Sequence, residues 1–176
     1  MTALTTERPT AAEHIPHYEQ YIRLAPEGNI LETLVRQIDV TAAYFGQLTP
    51  EQAVRRPAPG EWCPADIVGH LADVERVFSY RVLRLGRGDF AQPEDADFEA
   101  YAVAAGYDAH PIGEIVAEFA AARAATVAML RDLNEDAWAH RAPEGWTLRS
   151  VRAFAYVLAG HELHHLYDVQ ALLPGN

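Results

Sequence analysis

The 176-residue sequence predicts an all-α fold, a four-helix bundle with long connections between the first and second and between the second and third helices. Three observations carry this. Apolar residues recur at helical spacing in four long segments, Pro- and Gly-rich stretches separate those segments, and no run shows the alternation of a half-buried strand or an internal repeat. Residues 1–24 read as an N-terminal extension and residues 25–174 as a single bundle domain.

The first long helix follows Pro26-Glu27-Gly28-Asn29, with Asn29 as N-cap, and runs through Ile30, Leu34 and Ile38, flanked by Leu31 and Val35, to about Gly46. Thr49-Pro50-Glu51-Gln52 reads as a short capped turn and 56–60 as a loop. The second opens at Pro64, a favoured first position, carries the stripe Ile67, Leu71, Val74, Phe78, Val82, Leu85, and ends at Gly86 and Gly88. The acidic connection from Asp89 to His110 interleaves carboxylates with Phe90, Phe98, Tyr101 and Tyr107; a connection this long commonly acts as a lid or carries a short helix of its own. The alanine-rich third helix runs from Pro111 to about Leu133 with Ile115, Phe119, Ala122, Thr126, Met129 and Leu133 on one face. The fourth is expected to start at an N-cap Thr147 and to run from Leu148 to about Leu173, where Pro174-Gly175 stops it.

Composition narrows the function. With 14 Lys plus Arg against 25 Asp plus Glu the net charge is −11, which repels phosphate backbones and anionic headgroups, so neither nucleic acid nor membrane is an expected partner. The one cysteine, Cys63, excludes an intrachain disulfide. The first twenty residues lack a basic start followed by an apolar stretch, and no apolar run reaches the ~20 residues that span a bilayer, so the expectation is a cytoplasmic protein. A chain of this length buries enough surface to fold without a metal staple, which makes any metal functional rather than structural.

The chemistry concentrates on the last helix. Its stripe Phe154, Leu158, His161, His165, Asp168, Leu172 puts His161 and His165 one turn apart on the inward face, where two imidazoles at i and i+4 can hold one metal ion. His70 lies beside the stripe of the second helix, between Ile67 and Val74, and completes a three-histidine set with open coordination positions. Asp66 and Asp73 flank His70 on its own helix side and are candidates to orient the ring, or are ordinary first-turn and solvated acids. Glu162 is a candidate catalytic base next to the metal or else a solvated helix glutamate; His164 and Asp168 are optional further ligands. His161-Glu162-Leu163-His164-His165 also spells H-E-x-x-H, but only 11 residues follow and no strand is evident, against a metalloprotease. Cys63 reads as a small cap. His14, His17, His110 and His140 read as surface histidines, and Trp62, Trp138 and Trp146 as packing anchors.

Pro57-Ala58-Pro59-Gly60-Glu61-Trp62-Cys63-Pro64, then Ile67-Val68-Gly69-His70-Leu71-Ala72-Asp73-Val74-Glu75, and the closing Gly160-His161-Glu162-Leu163-His164-His165-Leu166 resemble the motifs of the DinB-like (DinB/YfiT) superfamily of metal-dependent enzymes, over about Leu24 to Leu173. The resemblance implies a bundle, often dimeric, in which His70, His161 and His165 bind a divalent metal, the same three residues that the periodicity selects. It also implies thiol chemistry, since members of known activity include S-transferases and isomerases using mycothiol or bacillithiol. Two positions depart from the pattern: Cys63 stands where Ser is usual, and Tyr167-Asp168 where a small residue and Gln are usual.

The function expected is therefore an enzyme for a small-molecule substrate, with one divalent ion (zinc or nickel, which suit imidazole) activating water or a low-molecular-weight thiol cosubstrate. The alternative is a non-catalytic metal-binding stress-response or dimerisation module. A homodimer is expected from the resemblance and from apolar residues outside the narrow stripes, Leu31, Val35 and Tyr44 on the first helix and Ile112, Val116 and Val127 on the third, unless the segment around Tyr18, Tyr21 and Ile22 folds back over them.

Overall fold

Capping residues set the starts of the helices in the computed structural model, which describes residues 5–173. The elements are α1 (Glu19–Leu24), α2 (Ile30–Gly46), α3 (Pro50–Ala53), α4 (Pro64–Gly86), α5 (Phe98–Ala105), α6 (Ile112–Asp132), α7 (Glu135–Ala139) and α8 (Val151–Leu172). Asn29 caps α2 by accepting from the Leu31 and Glu32 amides, and Thr49 and Gln52 form a reciprocal capping box on α3. Among the described residues there is no strand, only an isolated antiparallel bridge between His14 and Leu148. The Pro174-Gly175 stop lies outside the described residues.

That bridge corrects the expected start of the last helix. Ile15 N donates to Thr147 O and Arg149 N to Glu13 O, which holds 147–149 extended beside 13–15. The cap falls instead on Ser150, whose hydroxyl accepts from Ala153 N at 3.0 Å and donates to Glu13 at 2.6 Å. His14 is accordingly buried, not a surface residue.

The long helices are α2, α4, α6 and α8. α2 packs on α6 and α8, and α4 packs on the same two, so consecutive members α2 and α4, and likewise α6 and α8, stand on diagonals of the bundle. The connections carrying α3 and α7 cross these diagonals. The α4–α6 connection joins neighbours, which leaves α5 free to lie over α4.

The N-terminal segment is part of the same packing. α1 lies on α8, with Ile22 and Ala25 buried, and Arg8 donates to Ile22 O and Ala25 O. The approach is backbone to backbone at Gly160: a Cβ there would stand 1.7 Å from Tyr21 O. Every residue of α8 from Val151 to Glu162 is buried. Of the residues read as a dimer patch, Val116 and Val127 are buried and Leu31, Val35, Tyr44 and Ile112 half-buried within the single chain.

The core divides in two. One apolar cluster takes Ile30 and Leu34 of α2, Val74, Phe78, Val82 and Leu85 of α4, Val127 and Leu130 of α6, and Val151 with 153–159 of α8. The other takes Phe45, Ile67, Val68 and Leu71, Ile115, Val116 and Phe119, and Leu166, Val169 and Leu173. Between them each helix contributes polar residues at one level: Gln37 and Thr41, His70 and Glu75, Arg123 and Thr126, His161 and Glu162, all buried.

Candidate metal centre

At this level, on the α4–α8 face, the three predicted histidines converge. Nε2 of His70 is 3.2 Å from Nε2 of His161, which is 3.1 Å from Nε2 of His165. The position of His70 follows from the start of α4. Cys63 is the N-cap and Asp66, at the third helical position, reaches back to accept from Cys63 N and Sγ, both at 3.1 Å. Burial pushes the Cys63 thiol up to about 11, so the residue is a cap and not a nucleophile. Asp66 also accepts from Arg56 at 2.6 Å, and Arg56 donates to Asp108 at 2.8 Å, tying the loop before α4 to the turn after α5. Asp73 accepts from the Tyr107 hydroxyl at 2.8 Å. Both aspartates are thus committed elsewhere, and neither orients His70, whose buried Nδ1 has no partner among the described residues. Gly69 makes room for Tyr107, since a Cβ there would lie 2.3 Å from its ring.

On α8, His161 and His165 meet at i, i+4 as the spacing predicts. Asp168 stands 3.3 Å from Nδ1 of His165 and 3.7 Å from Nε2 of His164, so its carboxylate addresses the ring nitrogen of His165 that does not enter the cluster. Glu162 is not solvated. Thr41 donates to one of its oxygens and Arg123 to the other at 2.6 Å, and Arg123 also donates to Glu75 at 2.9 Å. With both oxygens engaged, Glu162 anchors α8 beside His161. Arg123 went unread in the alanine-rich third helix. Its signal was its register, i+4 from Phe119 and i−3 from Thr126, which places a charge on the buried face.

Burial lowers all three imidazoles, His70 to about 3, reinforced by His165; His165 to about 4, reinforced by His164 and opposed by Asp168; and His161 well below its ordinary value. They are neutral at neutral pH, the form that a metal requires. Two of the three donor spacings also fit in size. For metal–nitrogen bonds near 2.05 Å, adjacent ligands stand ~2.9 Å apart at octahedral and ~3.3 Å at tetrahedral angles, which brackets the two spacings observed.

Two cavities share His165, Trp62 and Glu99. The inner, about 270 Å³, is walled by Tyr18, Tyr21, Phe78, Phe98 and Trp62 around His70 and His161. The outer, about 910 Å³, opens between the loop before α4, α5 and the end of α8. Trp62 is therefore a wall of the site, its ring 4.7 Å from that of His70, and not merely a packing anchor. Phe98 of α5 stands edge-on to His70 at 5.6 Å and Tyr21 edge-on to His161 at 5.1 Å. Their positions were illegible in the pattern because both arrive from short helices outside the four stripes.

The family model that describes the DinB superfamily matches residues 33–169. Among solved structures, "YfiT from Bacillus subtilis is a probable metal-dependent hydrolase with an unusual four-helix bundle topology" is similar, with a TM-score of 0.67, 15% identity, and 98% of each chain covered. At that identity the likeness establishes the fold alone. No curated protein matches the chain.

Proposed function

The chain belongs to the DinB superfamily, and on that premise we propose that it is a metal-dependent enzyme, in which His70, His161 and His165 hold one divalent ion, zinc or nickel, for hydrolysis or for thiol transfer to a small electrophile. The observation that carries this reading is the convergence of three neutral Nε2 atoms where two cavities meet. Such an ion, when bound, lowers the pKa of a coordinated water or thiol toward ~7.

The surrounding side chains support the same reading. Asp168 stands 3.3 Å from Nδ1 of His165, on the side of the ring away from the cluster, where its charge favours Nε2 as the ligating atom. Because that carboxylate meets the other nitrogen, it supports a set of three protein ligands with room for substrate over a closed four-ligand site. Trp62, Phe98 and Tyr21 pack their rings against the imidazoles. Glu162, held by Arg123 and Thr41, is a positioning residue for α8 in this scheme. We place the enzyme in the cytoplasm as a homodimer, a form that rests on the resemblance; no helix among the described residues is long and apolar enough to cross a membrane.

Metal analysis of protein purified without chelator tests the reading. The wild type should carry about one equivalent of divalent metal, and His165→Ala should lose it. Equal and negligible metal in both would overturn the site. Loaded protein should then turn over in a screen of ester and amide hydrolysis beside consumption of low-molecular-weight thiols with varied electrophiles; bound metal with no turnover in any arm would transfer the chain to the non-catalytic alternative.

A further inference from the structure

The walls of the two cavities differ in chemistry. The outer cleft presents three carboxylates, Glu61, Glu99 and Asp168, and no arginine among its lining residues. The inner pocket is aromatic, and Glu99 stands where the two join. Glu61 and Glu99 have no ion-pair partner among the described residues, and Arg56, in the same loop as Glu61, is engaged by Asp66 and Asp108. The carboxylates are not the only sign of a binding site: His70, only 6% exposed, lines the inner pocket with its Nδ1 unpartnered.

We infer that the site selects a small molecule with an apolar or aromatic body and a positively charged group, the body seated in the inner pocket and the cation held by Glu99, Glu61 and Asp168 in the outer cleft. The inner pocket, at about 270 Å³, exceeds the roughly 150 Å³ of a cavity that takes benzene, so one ring fits. Its aromatic faces at the junction also attract a cation, which a carboxylate-bearing ligand would not gain. A divalent ion on three neutral imidazoles adds two positive charges against three carboxylates, so the cleft keeps a net negative charge when loaded, with the positive end at the histidines and the negative end at the mouth. A dipolar ligand that places its electron-rich atom inward and its ammonium outward matches that order.

As a statement about substrate this rests on the enzyme reading above, but the charge preference belongs to the cleft and is measured by binding. Benzylammonium, benzyl alcohol and phenylacetate are titrated onto the full-length protein by ligand-detected NMR at about 50 mM salt, before and after chelation, with metal content measured on each sample. Benzylammonium should bind about tenfold more tightly than benzyl alcohol in the chelated sample and keep its lead in the loaded one. Glu99→Gln, on the exposed side of α5, should weaken benzylammonium by about three- to tenfold and leave benzyl alcohol unchanged, whereas Glu118→Gln on α6 should alter neither. Equal binding of the three, tighter binding of phenylacetate to the chelated protein, or no binding of any of them overturns the inference. A cation preference in protein that holds no metal sustains the inference and removes the metal reading; metal present without the preference does the reverse.

Discussion

Replacing Gly160 by Ala tests how the N-terminal segment is fixed to the bundle. The added Cβ would meet Tyr21 O at 1.7 Å, and ordinary contact begins at 3.4 Å, so α1 and α8 must separate by roughly 1.7 Å. The obstructing atom is backbone, so no rotamer change relieves it. Either α8 shifts, against a helix buried on every side from 151 to 162, or α1 lifts and loosens Ile22, Ala25 and the two carbonyls bound by Arg8. Overpacking of this kind costs about 1–3 kcal/mol or more, while Ala in a helix interior returns about 1 kcal/mol over Gly. Because the obstructing atom is backbone the cost falls at the upper end of that range, the collision wins by about 2 kcal/mol, and in a domain of this size Tm falls by about 4–8 °C. Differential scanning calorimetry measures it. The perturbation also reaches the candidate metal centre, because the Tyr21 ring packs against His161 and His164 at 5.1 and 5.4 Å, so affinity for added metal should drop with Tm. A Tm equal to or above that of the wild type would mean that helix propensity dominates and that α1 does not press on α8 as described.

Arg123→Met leaves Glu75 and Glu162 buried without their shared cation and should cost about 3–5 kcal/mol in urea unfolding; adding Glu75→Gln and Glu162→Gln should recover most of that, and a loss under about 1 kcal/mol for the single variant would refute the ion-pair account. Acid stability should carry the signature of Glu13. Burial alone would raise its carboxyl, but hydrogen bonds from Arg152, Ser150 and Thr10 N hold it down at about 2 against an ordinary 4.5. A lowered folded-state value means that the contribution is full above pH 4.5 and is lost as pH falls toward 2, amounting to at most about 3 kcal/mol. Glu13→Gln should therefore flatten stability across that window, as read by unfolding midpoints from pH 5 to 2, and an unchanged profile would reject the assignment.

Much of the site was legible because helical periodicity is a local signal. Ile67-x-x-His70 and His161-x-x-x-His165 each state a face, and the faces had only one interior to meet in. The starts of α2, α3 and α4 were equally readable, since Asn29, Thr49 and Pro64 act within one turn. What escaped was set by partners distant in sequence. Ser150 caps α8 because Glu13, 137 residues earlier, holds the preceding residues extended. Asp66 and Asp73 had the right spacing to serve His70, but the N-cap amide and the Tyr107 hydroxyl offered them better hydrogen bonds. Trp62, read as an anchor, became a wall because its neighbour across the cleft comes from α5, an element whose placement no stripe encodes.

The burial of α8 on all sides bears on how the chain reaches this structure during synthesis. α1, α2 and α4 each pack on α8 and each precede it, so all of them leave the ribosome with an apolar face uncovered. The polar level is incomplete at the same stage: Arg123 has Glu75 but not Glu162, and His70 has neither of the imidazoles it later meets. The α4–α6 and α2–α6 interfaces can form before α8 is made, but the faces of α1, α2 and α4 that pack on it stay open until the last long helix arrives, and over that interval those nascent apolar faces need protection. The three histidines proposed to hold the metal are joined by that same late event, so a nascent chain lacks the three-ligand set until it can hold its own shape.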